Sequence, residues 1–369
     1  MLKFFFKLLL ISLVPLSVCA ANYVIDPLQF YRKSSFYTPD FYDQQRYQAP
    51  GIAKNYNYSL AFVGTSMSEN FSLKEVSDET GKSAVRLTMS GSSAYEQKLI
   101  LDLALSSNPA LDTVIWDINY SSLSGNADAV RDRDAVFPMY LYDQNMFNDF
   151  RYLLDPLVTQ RTAKQILRGA RYSQPDADEA LENLNRWANW SSFSKEITLQ
   201  SFNSSVERGE FQAFEYVKED YKLEKLKSNV DKNIFSAALA NPNISFKYYF
   251  PPFSILEIIS FKMNGTFDNF IRIRDYIFQN YSHYDNIEIF DFQASDFILE
   301  LENYKDRAHH IPQMNSRMLR YMLGGEPVSP EAFAENQKKI IDLCDEYFSR
   351  YSSDGYDGVS ALQKSWCFY

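Results

Sequence analysis

The chain has 369 residues, of which 46% are hydrophobic and 16% aromatic, so it can form one large domain or two smaller ones with a substantial core. Its 37 basic and 47 acidic residues give a formal net charge of −10, which excludes nucleic acid bound through bulk electrostatics. The three histidines show no metal-ligand spacing, and we predict neither a metal nor a cofactor.

Residues 1–21 are typical of an export signal. Two lysines flank the phenylalanines at positions 4–6, an apolar stretch runs from Leu8 to Ala21, and Val18-Cys19-Ala20 occupies the usual cleavage positions. The stretch is short for a spanning helix unless the phenylalanines extend it. The pattern leaves both a cleaved signal peptide and an uncleaved membrane anchor open, with the periplasm or cell envelope as the expected location. An N-terminal extension, residues 22–57, follows.

Continuous apolar or β-branched runs predict five buried strands. Helix-length connections separate them, which favours a parallel sheet covered by helices on both faces, a three-layer α/β fold. The predicted strands are Tyr58–Val63, Ala84–Met89, Asp112–Asp117, Ile244–Phe250 and Ile287–Phe292.

Helical spacing of apolar residues predicts the connections between strands. Residues 94–106 and 265–281 carry such patterns, and residues 120–241 are too long for a loop and predict a mostly helical insertion. Ser329-Pro330-Glu331 is a helix start, because it combines a capping serine, a proline in the first helical position and an acid in the first turn. We therefore assign residues 58–328 to the α/β domain and residues 329–369 to a C-terminal helix and tail.

Beyond the signal, Cys344 and Cys367 remain. Two cysteines in an exported chain can form one disulfide, which here would join the chain end to the preceding helix. Two unpaired thiols are the equal alternative.

Ser66 is a candidate nucleophile. It follows the first predicted strand in Gly64-Thr65-Ser66-Met67, and the carboxyl ends of parallel strands are where open α/β sheets bind ligands. If residues 67–71 begin a helix, nearby N–H groups could stabilise a developing oxyanion. A capping hydroxyl at a strand-to-helix turn is the alternative.

Gly91 and Asn119 are candidate oxyanion donors. Gly91 lies in the Ser90-Gly91-Ser92-Ser93 turn after the second strand, where a glycine lets the backbone approach a ligand. Asn119 follows the third strand and offers a carboxamide donor. Both residue types are also common in turns for conformational reasons.

His309 is a candidate base, and Asp306 is its candidate partner. A serine becomes a useful nucleophile when an imidazole takes its proton and a carboxylate fixes the imidazole tautomer. His309 is the only one of the three histidines with an aspartate three residues before it. A helix-capping Asp306 beside a surface histidine is the alternative.

The order of these blocks, with Ser66 in the first, Gly91 in the second, Asn119 in the third and Asp306-x-x-His309 near the end, resembles the SGNH, or GDSL-like, hydrolase superfamily. The first block with Phe250-Pro251-Pro252 and Tyr304-Lys305-Asp306 resembles a bacterial cell-envelope branch, similar in style to the teichoic acid D-alanyl-transfer and alginate acetylation proteins. The resemblance implies a flavodoxin-like αβα fold, a catalytic triad of Ser66, His309 and Asp306, and oxyanion donors at Gly91 and Asn119.

The expected function is that of an exported serine esterase or O-acyltransferase acting on acyl esters of an envelope glycan, with a membrane acyl donor as a further partner. Two blocks depart from the family pattern: Thr65 replaces the usual Asp, and Asp117-Ile118-Asn119-Tyr120 replaces Gly-x-Asn-Asp. These departures leave a non-catalytic glycan-binding or envelope assembly factor as the alternative.

Overall fold

A single sheet of five parallel strands forms the centre of the fold in the computed structural model, which describes residues 2–131, 137–169 and 177–362. The strand order is β2-β1-β3-β4-β5, the flavodoxin-like order. The predicted α/β class and parallel sheet are confirmed, and four strands lie within the predicted segments, while β1 extends one residue beyond its segment, to Gly64. Their bounds are β1 Leu60–Gly64, β2 Ala84–Thr88, β3 Thr113–Asp117, β4 Ser245–Phe250 and β5 Ile287–Asp291.

Helices connect the strands and cover the sheet. The crossover helices predicted over 94–106 and 265–281 are present, and the last helix begins at Pro330, where the Ser329 hydroxyl accepts the N–H of Ala332 at 3.2 Å. These helices are α3 Leu73–Thr80, α4 Ala94–Ser107, α12 Ile255–Met263, α13 Phe267–Tyr281, α14 Pro312–Gly324 and α15 Pro330–Leu362.

The segment between β3 and β4 is mostly helical, as predicted. Short 3-10 turns at 120–123, 139–141 and 187–190 and a π turn at 230–234 separate its helices. The helices are α5 Phe150–Leu154, α6 Pro156–Gly169, α7 Ala177–Asn183, α8 Lys195–Glu207, α9 Glu215–Asp220, α10 Leu223–Asn229 and α11 Ser236–Ala240.

Both faces of the sheet are packed with apolar side chains. On one face, Phe62 and Ile115 pack with Phe71 and with Met318 of α14. On the other face, Trp116 stacks on its register neighbour Tyr248 at 5.8 Å between ring centroids. Because both faces are buried, the sheet needs a covering layer on each side and forms the middle layer of an αβα fold.

The chain divides into two compact units. The first comprises Met1–Ser59, Leu99–Leu111 and Asp132–Arg186, and the second, which contains the sheet, comprises Leu60–Lys98, Asp112–Arg131 and Trp187–Tyr369. The first unit includes α1 Leu2–Ile25 and α2 Gln45–Asn55.

Helix α1 contacts α5 and α6 in the first unit. The Asn22 carboxamide nitrogen donates to the Leu153 carbonyl and to the Thr159 hydroxyl, both at 2.9 Å, and the Asn22 side chain is fully buried. Within the residues that the structure covers, no helix is long and apolar enough to cross a membrane.

Cys344 is fully buried in α15 and is unpaired in the described part of the chain. Burial raises the pKa of its thiol to about 12, so the thiol stays protonated at neutral pH. Cys367, its predicted disulfide partner, lies outside the described residues.

Candidate active site

Ser66 lies on a tight turn that leaves β1 at its carboxyl end. The turn begins at Gly64, whose φ of +132° is in a region that favours glycine, and a Cβ built there would lie 1.7 Å from Asp117 Oδ1. Residues 66–68 form a 3-10 turn capped by Thr65, whose hydroxyl accepts the N–H of Met67. Ser66 is half-buried, whereas its neighbours in the turn are buried.

Asp117, at the carboxyl end of β3, holds this turn in place. Its Oδ1 accepts the Thr65 N–H at 2.8 Å and the Ser68 hydroxyl at 2.7 Å, and its Oδ2 accepts the Thr65 hydroxyl at 2.8 Å. Complete burial raises the pKa of Asp117 to about 6, although these hydrogen bonds act in the opposite direction. A buried carboxyl that costs stability when ionised is typical of a functional site.

Ser66, His309 and Asp306 form a continuous hydrogen-bonded chain. Ser66 Oγ lies 2.8 Å from His309 Nε2, and His309 Nδ1 lies 2.9 and 2.8 Å from the two carboxylate oxygens of Asp306. A carboxylate can only accept, so it assigns the hydrogen to Nδ1 and leaves Nε2 to accept from the Ser66 hydroxyl. This is the geometry of an activated serine.

The loop at 304–310 places Asp306 and His309 side by side. Asp306 Oδ1 accepts the backbone N–H groups of Ala308 and His309, both at 2.9 Å, while Lys305 N–H donates to the His309 carbonyl at 3.1 Å. Burial alone would raise the pKa of Asp306, but the hydrogen bond and charge of His309 and the two backbone donors lower it well below its usual range. Asp306 is therefore ionised across the pH range in which histidines titrate.

His310, the other histidine of the adjacent pair, points into the core. Its side chain is 1% exposed, its ring packs edge-on against Phe297, and neither ring nitrogen has a hydrogen-bond partner among the described residues. Burial lowers the pKa of His310 to about 3, so this imidazole is neutral. Only His309 is positioned to act on Ser66.

Trp187, from the 3-10 turn at 187–190, covers the serine and the histidine. Its indole N–H donates to the Ser66 carbonyl at 2.8 Å, and its ring lies edge-on to His309 with centroids 5.0 Å apart. The Lys305 ammonium lies 4.0 Å from the centre of the indole ring. Sequence reasoning missed Trp187, because nothing in its local sequence distinguishes it from the other aromatic residues of the insertion.

The two predicted oxyanion donors follow β2 and β3, the strands on either side of β1. Gly91 has φ +62° in an exposed turn, which is held next to β1 because the Met89 N–H donates to the Gly64 carbonyl at 2.9 Å. In the described part of the chain, the N–H groups of Gly91 and Ser66 donate to no acceptor. Asn119 donates its carboxamide N–H to the Thr65 hydroxyl at 3.2 Å. The structure thus places Asn119 beside the turn that carries Ser66. One of its two carboxamide hydrogens is used in the hydrogen bond to Thr65.

The site lies where the strand order reverses. Chain connections lead from β1 outward to β2 and from β3 outward to β4, so the crevice at the carboxyl ends of β1 and β3 is the switch point at which open α/β sheets bind ligands. Ser66 follows β1, Asp117 is the last residue of β3, and Asn119 lies two residues beyond it. Comparison of the chain with known proteins found no matching family model, curated protein or solved structure.

Replacing Asp117 with alanine is expected to lower the free energy of unfolding by about 2–4 kcal/mol, because the Thr65 N–H and the Thr65 and Ser68 hydroxyls lose their acceptor in a buried site. Asp117→Asn keeps one carbonyl oxygen in the same volume and should lose less than half as much. Urea unfolding of both variants measures the difference. Equal stability of the wild type and Asp117→Ala would show that the turn does not depend on this carboxyl.

Proposed function

We propose that the protein is an exported serine esterase or O-acyltransferase that acts on acyl esters of an envelope glycan. The observation that carries this proposal is the unbroken chain of hydrogen bonds from Ser66 Oγ through His309 to Asp306. A structural serine has no need of an imidazole that is oriented at its hydroxyl by a carboxylate. Three residues so arranged at a ligand-binding crevice support nucleophilic catalysis on an ester.

In this mechanism, Ser66 Oγ attacks the acyl carbonyl while His309 Nε2 takes the hydroxyl proton. The carbonyl oxygen becomes an oxyanion, for which the N–H groups of Ser66 and Gly91 and the second carboxamide hydrogen of Asn119 are the candidate donors. Collapse of the intermediate transfers the proton from His309 to the leaving alcohol and leaves an acyl group on Ser66. Water then accepts the acyl group in hydrolysis, or a sugar hydroxyl accepts it in transfer.

Asp306 stabilises the imidazolium that forms in each step. It remains ionised and keeps the Nδ1 hydrogen in place, so that Nε2 alone exchanges protons with the reacting oxygens. Its hydrogen bonds from the backbone of Ala308 and His309 fix the carboxylate before substrate binds. The site is thereby preorganised for charge development at His309.

The substrate class, the family and the location rest on the sequence. The block order resembles that of the SGNH hydrolase superfamily in its cell-envelope branch, and the flavodoxin-like strand order is the fold that this resemblance implies. The apolar N-terminal segment supports export, to the periplasm or the cell envelope, with α1 as a membrane attachment. A membrane acyl donor is the proposed partner if the reaction is transfer.

A non-catalytic glycan-binding or assembly factor is the second candidate function. One observation favours it: the Asn119 carboxamide, an oxyanion donor in the expected pattern, donates to the Thr65 hydroxyl inside the turn. If that bond persists when an ester binds, Asn119 contributes less to stabilising the transition state. Loss of one such donor costs about 2.7–4 kcal/mol of transition-state stabilisation.

A fluorophosphonate probe tests the proposal, since it reacts covalently with activated serines. We expect the detergent-solubilised full chain to be labelled on the peptide that contains Ser66, as located by mass spectrometry, and His309→Ala to be labelled at least 100-fold more slowly. Labelling at another serine would show that the nucleophile is misassigned. An unlabelled, folded protein would move the assignment to the binding or assembly function.

Removing the indole N–H of Trp187 should lower kcat less than the loss of His309 does. Trp187→Phe keeps an aromatic ring beside His309 but loses the hydrogen bond to the Ser66 carbonyl, so kcat for p-nitrophenyl acetate should fall about 2- to 10-fold, the value of one neutral hydrogen bond. Trp190→Phe, three residues along the same turn and 76% exposed, is the matched control and should leave kcat unchanged. Equal kcat in Trp187→Phe and the wild type would mean that this hydrogen bond does not position Ser66.

A further inference from the structure

Helix α1 is exposed all round along part of its length. Residues 13–17 are all exposed, including Leu13 at 50%, Val14 at 64% and Leu16 at 62%, and the sequence has no charged residue between Lys7 and Asp26. A helix that packs on a protein surface buries one stripe and exposes a polar face, whereas a helix that is apolar on every side needs an apolar surrounding. This part of α1 projects from the first unit without such a surrounding.

A second set of exposed apolar side chains lies at the base of α1. Phe150 and Leu154 share one face of α5 at i and i+4 and are 57% and 51% exposed, and Met146 and Phe147, just before the helix, are 81% and 92% exposed. We call these four residues the apolar collar. Single exposed apolar residues are ordinary, but four within nine positions mark an interaction surface.

Helix α5, which carries Phe150 and Leu154 of the collar, is hydrogen-bonded to the end of α1. On the side of α5 away from the collar, Tyr152 is fully buried, and its hydroxyl donates to Asp26 Oδ1 at 2.7 Å, one residue beyond the end of α1. Asn22, inside α1, donates to the Leu153 carbonyl of α5. Hydrogen bonds thus join the end of α1 to two neighbouring residues of α5, the helix that carries Phe150 and Leu154.

We propose that the collar lies in the interface of a lipid bilayer, with the projecting part of α1 inserted in the lipid beside it. Lipid is favoured over a protein partner because residues 13–17 of α1 are exposed on every side, and an acyl-chain environment covers such a surface without a matching groove. Aromatic and long apolar side chains at the base of an inserted helix suit the boundary between headgroups and acyl chains. This contact is independent of the proposed ester chemistry and would fix the first unit on the membrane at two places.

An environment-sensitive label measures the contact directly. The full chain with Cys19→Ser and Cys367→Ser, and with Cys344 left in its buried position, carries an NBD fluorophore at Phe147→Cys. With phosphatidylcholine vesicles we expect a blue shift and quenching by lipids that carry a shallow nitroxide. The same label at Glu331→Cys, in the exposed first turn of α15, is the control and should show neither change.

A second variant distinguishes the contribution of the collar to membrane binding from that of α1. Phe147→Ser combined with Phe150→Ser, with α1 unchanged, should lower the vesicle partition coefficient on the order of tenfold or more, because two large apolar side chains stay in water in both states. Co-flotation of the labelled chain without a spectral change at position 147 would overturn the proposal, since α1 alone would then make the contact. A blue shift that grows with protein concentration in the absence of vesicles would overturn it in favour of a second copy of the chain.

Discussion

Ser66→Ala is expected to lower kcat for p-nitrophenyl acetate on the order of 10⁴- to 10⁶-fold, because the proposed acyl intermediate forms on the Ser66 hydroxyl oxygen. The missing hydroxyl leaves His309 Nε2 without its partner at 2.8 Å but removes no buried hydrogen bond of the turn itself, since Thr65, Ser68 and Asp117 form their bonds without it. The folded structure and its thermal midpoint should therefore change little.

Steady-state hydrolysis with the full chain in detergent measures this loss. Ser352→Ala, at an exposed serine of α15, is the matched control and should retain wild-type turnover. Residual activity above one per cent in folded Ser66→Ala would show that the ester is attacked by another group.

Asp306→Asn is expected to lower kcat about 10⁴-fold with little change in KM. An asparagine can keep its carbonyl oxygen toward the backbone N–H groups of Ala308 and His309, which preserves the loop. Its amide nitrogen then donates to His309 Nδ1 and moves the imidazole hydrogen to Nε2. An Nε2 that carries a hydrogen cannot accept the proton of Ser66, and no negative charge remains to stabilise an imidazolium.

Asp296→Asn is the control for Asp306→Asn, because the Asp296 side chain is 85% exposed and pairs with Lys339 at the surface. The comparison is made by active-site titration and by turnover, so that a fraction of misfolded protein is not counted as slow enzyme. A loss below tenfold in Asp306→Asn would indicate that His309 acts without a fixed tautomer, and the triad assignment would then reduce to a dyad.

The strands of the sheet were predictable because each can be recognised from a few consecutive residues. The central strands β1 and β3 are buried at every position, so they show no alternation that would indicate a hairpin-built sheet. The helix start at Pro330 is equally local, since its cap and first turn lie in three consecutive residues. Strand order is not local, and the flavodoxin-like order was expected only from the resemblance to the SGNH superfamily.

The site was predictable only in part, for a physical reason. Asp306 and His309 are three residues apart and Ser66 follows a strand, but the 2.8 Å contact between Ser66 and His309 joins residues 243 positions apart. Asp117 was treated as a strand end, because its importance depends on the close approach of Gly64 across the sheet edge. Trp187 contacts Ser66 from a turn 121 residues away in the sequence. Motif spacing cannot predict a contact between residues so far apart in the sequence.

Trp187 also gives the site a natural optical signal. Its ring lies 5.0 Å from the imidazole of His309, and a protonated imidazole quenches a neighbouring indole more strongly than a neutral one does. Trp116 is buried in the sheet and Trp190 is exposed, so neither shares this environment. The emission of Trp187 can therefore respond to the charge of His309.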